Sequence, residues 1–148
     1  MKATTLLEHQ HRNLEELCDA VERGSAGMRA SLLPQLAGDL AAHIAMEEQL
    51  FYPAACEALH EDGWLCAGRA RRAQVQESLH RAMEAPIDGE EFERAIGELH
   101  GLVCQHAQEK DLLFPRLEKA LDAGAMRALG LSMAALYDAK LESGYALD

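Results

Sequence analysis

Long stretches of helical hydrophobic periodicity, separated by very short breaks, limit what this chain can fold into more than any other feature. Apolar residues recur every three or four positions in four long segments, and the breaks carry Gly, Asp or Pro, as in "RGSAG", "HEDGW" and "APIDGEE". Helices joined by connections this short must run antiparallel to their neighbours. The sequence therefore predicts an all-α fold, an up-down-up-down antiparallel four-helix bundle over about residues 3–121, with a short extra C-terminal helix over about residues 125–141.

Capping residues predict where two of these helices begin. Ser31 is a candidate N-cap for the second helix, with Pro34 in its first turn. Asp88 and Glu91 have the spacing of a capping box, which places the start of the fourth helix there. The first three predicted helices cover about residues 3–23, 31–59 and 64–85, and the fourth follows the capping box and ends at "DAGA".

Length and charge narrow the class of protein. With 148 residues the chain is long enough for one domain, predicted over 1–148, with an apolar core that needs no disulfides. The formal net charge of −11 disfavours a nucleic-acid partner and an anionic membrane surface, and leaves the oligomeric state open. The four cysteines show no Cys-x-x-Cys spacing, and no apolar leader or membrane span is present. A reducing, cytoplasmic location is expected.

Four of the seven histidines fall on the predicted apolar faces, one on each helix: His11, His43, His80 and His106. A lone buried histidine is usually a hydrogen-bonded core residue. Four of them beside inward acids would each need a buried partner, and burying several carboxylates without a cation is costly. A bound cation would give the histidines a partner and would balance the charge of the carboxylates. Imidazoles and carboxylates without a thiolate favour iron or manganese, with zinc possible, and a metal-free structural bundle is the alternative.

The second helix gives the clearest ligand spacing. His43 and Glu47 in "HIAMEEQLFYP" are four residues apart, which separates them by only about 40° around a helix. Both side chains can therefore reach one metal site.

The fourth helix leaves its carboxylate open. Lys110 stands four residues after His106, so the candidates are Asp111 at i+5 and Glu109 at i+3. Asp111 would point about 140° away in a regular helix. Pro115 should clash with the carbonyl of Asp111 and distort the helix, and a widened turn would bring Asp111 towards His106.

These residues resemble the hemerythrin family, including the bacterial hemerythrin-like or HHE cation-binding domains. "LLEHQHRNLEEL" is similar to the first-helix segment with its single histidine, "HIAMEEQLFYP" to the H-x-x-x-E segment, and "HAQEKDLLFP" to the fourth-helix segment. The third helix departs from the family pattern H-x-x-x-H. It reads "QESLH", so only His80 is carried over and Gln76 takes the first place. The metal is then one ligand short unless Glu77, Glu84 or water completes it, which weighs against reversible oxygen carriage.

The resemblance implies a non-haem centre of two iron ions that binds dioxygen or a related ligand such as peroxide or nitric oxide. Its implied metal ligands are His11, His43, Glu47, His80, His106 and Asp111. Tyr52 and His9 are candidates to lie around them, and an apolar wall is expected from Leu50, Phe51, Leu79, Leu113 and Phe114. No catalytic residue is assigned. A peroxide-consuming enzyme is the alternative, with Tyr52, Glu77 or Gln76 to handle protons.

A ferritin-like di-iron protein is a second alternative, because that class uses Glu-x-x-His pairs. Glu8 with His11 and Glu77 with His80 have this spacing, and Glu47 and Glu109 could be the lone acids. The turn near residues 60–63 is too short for the long crossover of that class. The scheme also leaves His43 and His106 unused.

Overall fold

The fold is known from a computed structural model that describes residues 1–147, and within this range every regular element is helical. The prediction of an all-α bundle is confirmed. The α-helices are α1 (Ala3–Arg23), α2 (Ala26–Met46), α3 (Tyr52–Leu59), α4 (Gly63–Glu84), α5 (Glu90–Ala107), α6 (Glu109–Leu112), α7 (Phe114–Ala120) and α8 (Ala123–Ser143). A π-helical segment, Glu47–Phe51, joins α2 to α3.

The bundle closes more tightly on one side than on the other. Helix α1 packs along α2 and α5, and α4 packs along α5, whereas α2 and α4 touch over only a short stretch. Helix α8 lies across α1 and α2. The C-terminal helix is therefore present as predicted, but it is not short, because its 21 residues equal the length of α1.

Two predicted helix starts are wrong. Helix α2 begins at Ala26, because Ser25 has extended backbone angles and its hydroxyl accepts the Met28 N–H at 3.3 Å. Ser31 and Pro34 lie inside the helix. Helix α5 is capped by Gly89 in extended backbone, one residue after Asp88, with no side-chain cap.

Proline interrupts the second bundle helix where the sequence reads "EEQLFYP". Pro53 lacks an N–H and its ring clashes with the carbonyl four residues back, so a regular α-helical ladder cannot continue through it. The chain responds with the π-helical segment, in which the Tyr52 N–H donates to the carbonyl of Glu47, five residues earlier. Because of the wider turn, the side chains of Tyr52 and Glu47 lie on the same side of the helix.

Pro115 interrupts the fourth bundle helix in the same region of the fold. Gln108 and Leu113 separate α5, α6 and α7, so the distortion predicted before Pro115 is present. The distortion does not turn Asp111 inward, since this residue is exposed.

Two apolar clusters form the core. One contains Leu14, Leu36, Leu99 and their neighbours, and the other contains Leu7, Phe51, Leu117 and Met133. His11, His43, Glu47 and His106 fall between members of the two clusters along their helices, so the polar residues occupy the layer between them. Among the described residues, no helix combines the length and the apolar character needed to cross a bilayer.

Candidate metal centre

Three imidazoles and one carboxylate converge in the middle of the bundle. They come from α1 (His11), α2 (His43), the start of the π-helical segment (Glu47) and α5 (His106), and each offers a ligand atom within 4.8 Å of the others. All four side chains are buried, with residue exposures of 4%, 2%, 3% and 7% in chain order. We call these four residues the central cluster.

His43 is oriented by a hydrogen bond on the side away from the cluster. Its Nδ1 lies 2.7 Å from the amide oxygen of Gln10, which can only accept, so Nδ1 carries the proton and donates. The Nε2 atom on the other side of the ring faces Glu47 Oε1 at 3.1 Å. A carbonyl that fixes the imidazole tautomer in this way is typical of metal-ligating histidines.

Glu47 contacts two histidines closely. Its Oε2 lies 2.8 Å from His106 Nε2, and its Oε1 lies 3.1 Å from both His106 Nε2 and His43 Nε2. Burial raises the pKa of Glu47, but the neighbouring His106 and His43 outweigh burial and hold this pKa well below its usual value. Burial lowers the pKa of His106, yet the carboxylates of Glu47 and Glu109 outweigh it and raise that pKa to about 9. Without a metal, a protonated His106 therefore balances the charge of Glu47.

His11 has no such partner. Both of its ring nitrogens are buried and neither forms a hydrogen bond with any described residue. Its Nε2 lies 3.9 Å from Glu47 Oε2, and burial lowers its pKa to about 4, so the ring is neutral at physiological pH. A buried imidazole without a hydrogen-bond partner is costly, and a metal ion would use its lone pair. The donor set thus fits a bound transition-metal ion.

A second polar network lies beside the central cluster. The Tyr52 hydroxyl donates to Glu109 Oε2 at 2.9 Å, and the Arg71 guanidinium donates to that same oxygen at 2.8 Å and to the Tyr52 hydroxyl at 2.8 Å. Glu109 Oε2 is also 3.2 Å from His106 Nδ1. Burial and the charges of Glu47 and Glu109 raise the pKa of Tyr52, so its phenol stays protonated. Arg71 therefore neutralises Glu109, while Tyr52 links the network to Glu47.

Gly68 makes the position of Tyr52 possible. A Cβ atom at residue 68 would lie 2.7 Å from Cε2 and 2.9 Å from Cδ2 of the Tyr52 ring, closer than carbon atoms can pack. Helix α4 must therefore carry a glycine where it meets the ring.

A small cavity adjoins the cluster between α2 and α4. Its volume is about 20 Å³, enough for about one water-sized molecule. Apolar side chains form much of its lining, from Leu14, Leu40, Ile44, Val75, Leu102 and Val103. This lining differs from the predicted wall. Phe51, Leu113 and Phe114 are buried in the other core cluster, where the Phe114 ring stacks on His11 at 6.4 Å between centroids.

The structure brings together four of the six predicted metal ligands. His11, His43, Glu47 and His106 form the central cluster, whereas Asp111 and His80 are exposed and lie outside it. Glu109, the alternative to Asp111, is buried at 8% exposure beside His106. The break at Gln108 does not turn Asp111 inward. The i+3 spacing from His106 keeps Glu109 on the inner face instead.

The expectation that His80 faces inward is wrong because of how α4 is rotated. Its buried face follows Gly68, Val75, Leu79 and Ala82, and α4 packs along α5. His80 follows Leu79 by one residue and points about 100° away from it.

Three residues around the centre were missed by the sequence reasoning. Gln10 orients His43, Arg71 neutralises Glu109, and Gly68 makes room for Tyr52. Arg71 lies three residues after Gly68 and four residues before Val75, so helical spacing puts it on the same stripe. That spacing was the available signal.

Comparisons with known proteins agree with the fold. Residues 2–66 match the family model described as Hemerythrin HHE cation binding domain. The fold is similar to the crystal structure of a hemerythrin HHE cation binding domain-containing protein from Mycobacterium kansasii, with a TM-score of 0.83 and 21% sequence identity. That likeness covers 97% of this chain and 89% of the other. Comparison with curated proteins gave no match.

Proposed function

We propose, from the confirmed resemblance to the hemerythrin family and from the central cluster, that this protein is a non-haem iron protein that binds dioxygen or a related small ligand inside the bundle. The observation that carries the proposal is the convergence of three buried imidazoles on one buried carboxylate, with His11 lacking any other partner.

The donor set supports a pair of iron ions. His11, His43 and His106 would be terminal ligands, and Glu47 would be shared, because its carboxylate lies among all three imidazoles. Glu109 would be the second carboxylate in place of Asp111, since it is buried beside His106. Bound ferrous iron would supply the redox chemistry that none of these side chains has by itself. The protein's own contribution is to fix the imidazoles and to exclude bulk water.

The size of the cavity supports a small ligand. About 20 Å³ beside the cluster admits a water-sized molecule and excludes an organic substrate. Apolar residues on α1, α2 and α5 line much of it, which favours an uncharged ligand such as dioxygen or nitric oxide.

Metal content and optical absorption test the proposal directly. Protein purified without air and reloaded with ferrous iron should hold about two irons per chain, as in the di-iron sites of helical bundles. Exposure to air should then produce new near-ultraviolet and visible absorption. Reversal on removing oxygen indicates binding or sensing. Fewer than one bound iron in a folded chain would contradict the proposal.

Matched variants separate ligands from bystanders. His43→Ala should abolish iron binding, whereas His80→Ala removes an exposed imidazole and should leave it unchanged. Glu109→Gln should lower the iron content towards one per chain, and Asp111→Asn should not. If Asp111→Asn rather than Glu109→Gln lowers the iron content, the assignment of Glu109 is wrong.

Peroxide consumption is the second candidate, and the Tyr52 network favours it. A phenol that stays protonated beside the cavity can hydrogen-bond a peroxide ligand and orient it. Iron-loaded protein should then release oxygen from hydrogen peroxide, and Tyr52→Phe should slow this release without changing the iron content. Peroxide turnover no faster than that of free iron would rule out this candidate.

A further inference from the structure

A polar depression lies on the face of the bundle between α1 and α5. Its volume is about 100 Å³, and its lining residues are Glu8, His11, Arg12, Glu15, Ala107 and Lys110. His11 also lines the central cavity, and none of the other five residues does. His11 therefore lies between this depression and the small cavity beside the central cluster.

The His11 imidazole is not held by a hydrogen bond on this face. It is only 4% exposed, and both its nitrogens lack hydrogen-bond partners among residues 1–147. One of them, Nε2, is the atom that approaches Glu47. A buried imidazole without a hydrogen-bond partner, at the floor of a polar depression, has a nitrogen free to coordinate a cation.

Two carboxylates flank His11 on the same stripe of α1. Glu8 and Glu15 lie three residues before and four residues after it, which places them about 60° and 40° from its direction, whereas Arg12 lies about 100° away. Glu8 is exposed and Glu15 is half-buried. Within the described part of the chain, neither forms an ion pair, so both charges are available to a passing cation.

The other approach to the cluster, between α2 and α4, has the opposite character. Its carboxylate Glu48 is paired with Arg72 at 2.6 Å, and Glu109 is paired with Arg71 at 2.8 Å. Because each carboxylate at this mouth is already paired with a guanidinium, neither offers an unpaired negative charge to a divalent cation.

We propose that the α1–α5 depression is the port through which a divalent metal ion reaches the central cluster, with Glu8 and Glu15 attracting the ion and His11 receiving it first. This inference rests on the proposed metal centre. The metal and the small ligand then use different faces of the bundle.

Uptake of Co²⁺ by the metal-free protein, followed by visible absorbance in a stopped-flow instrument at low ionic strength, tests the port. The double substitution Glu8→Gln and Glu15→Gln should slow uptake about three- to ten-fold. The matched control is Glu16→Gln with Glu57→Gln, which removes the same charge from exposed positions outside the depression. The control should keep the rate of the unchanged protein within about two-fold.

A substitution of opposite charge sharpens the test. Arg12→Gln with Lys110→Gln should speed uptake by a similar factor, and both effects should shrink in high salt. The final amount of bound Co²⁺ should be the same in every variant, because none of the four residues belongs to the central cluster.

Equal rates of Co²⁺ uptake in the Glu8/Glu15 variant and in its control would contradict the proposal that the ion enters through the α1–α5 depression. So would faster uptake after Arg72→Gln without any response to Arg12 or Lys110, because the cation would then use the α2–α4 face. These results differ from a failure of the metal centre itself, in which the unchanged protein takes up no Co²⁺.

Discussion

Replacing Gly68 by alanine should destabilise this protein, although the same change elsewhere in a helix should stabilise it. Within a helix, Gly→Ala gains about 1 kcal/mol from backbone entropy and helix propensity. At residue 68 the added Cβ would lie 2.7 Å from Tyr52 Cε2, about 1 Å inside ordinary carbon–carbon contact. Such overpacking costs about 1–3 kcal/mol.

The Tyr52 ring cannot move away without further loss. Its hydroxyl is hydrogen-bonded to Glu109 at 2.9 Å and to Arg71 at 2.8 Å, and each bond to a charged partner contributes about 1.5–3 kcal/mol. We expect a net loss of about 2 kcal/mol for Gly68→Ala. For a chain of this length that corresponds to a Tm lower by about 4–8 °C.

The control is Gly97→Ala in α5, where an added Cβ meets nothing within 4 Å. Its Tm should rise by about 2–4 °C. Thermal unfolding by circular dichroism of both metal-free variants measures the difference. A Gly68→Ala variant as stable as Gly97→Ala would refute the close approach of α4 to the tyrosine ring.

Three further predictions concern charge and packing. Because the pKa of His106 is raised from 6.5 to about 9 in the metal-free protein, its stabilising contribution is complete below pH 6.5 and is lost by about pH 9. Urea unfolding of metal-free protein should show this loss, while metal affinity rises with pH over the same interval because a proton must leave. Arg29→Met should lower the free energy of unfolding by about 3 kcal/mol, because the Arg29 guanidinium donates to three backbone carbonyls. The control Arg127→Met, at an exposed position, should lower it by under about 0.5 kcal/mol in the same urea titration. Gly130→Ala should lower the Tm and loosen α8, because the added Cβ would lie 2.8 Å from the backbone nitrogen of Ala3; unchanged hydrogen exchange in α8 would contradict it.

The sequence determined the elements of the bundle because helical periodicity is a local property. The spacing of His43 and Glu47 is also local, so their shared direction could be predicted from residue numbers alone. His11 and His106 were found in the same way, since apolar neighbours at helical spacing mark the inward face of each helix.

Only the tertiary structure decided what each proline did. Pro53 and Pro115 both disturb a helix, and the sequence predicted a distortion only at the second. The π-helical turn before Pro53 brings Tyr52 to the site, while the breaks before Pro115 leave Asp111 exposed and Glu109 buried. How a helix relaxes around proline depends on what its neighbours can accept, and that information is not local.

The sequence by itself determined the helices, the resemblance to a metal-binding family and a set of six candidate ligands that includes the four members of the central cluster. The rotation of α4 was decided by packing: its small residues Gly68 and Ala82 sit against neighbouring helices, which turns His80 to solvent and Arg71 to the site. Periodicity gives the direction of a side chain relative to its own helix. The angle at which that helix sits against its neighbours follows from the fit of all their side chains together.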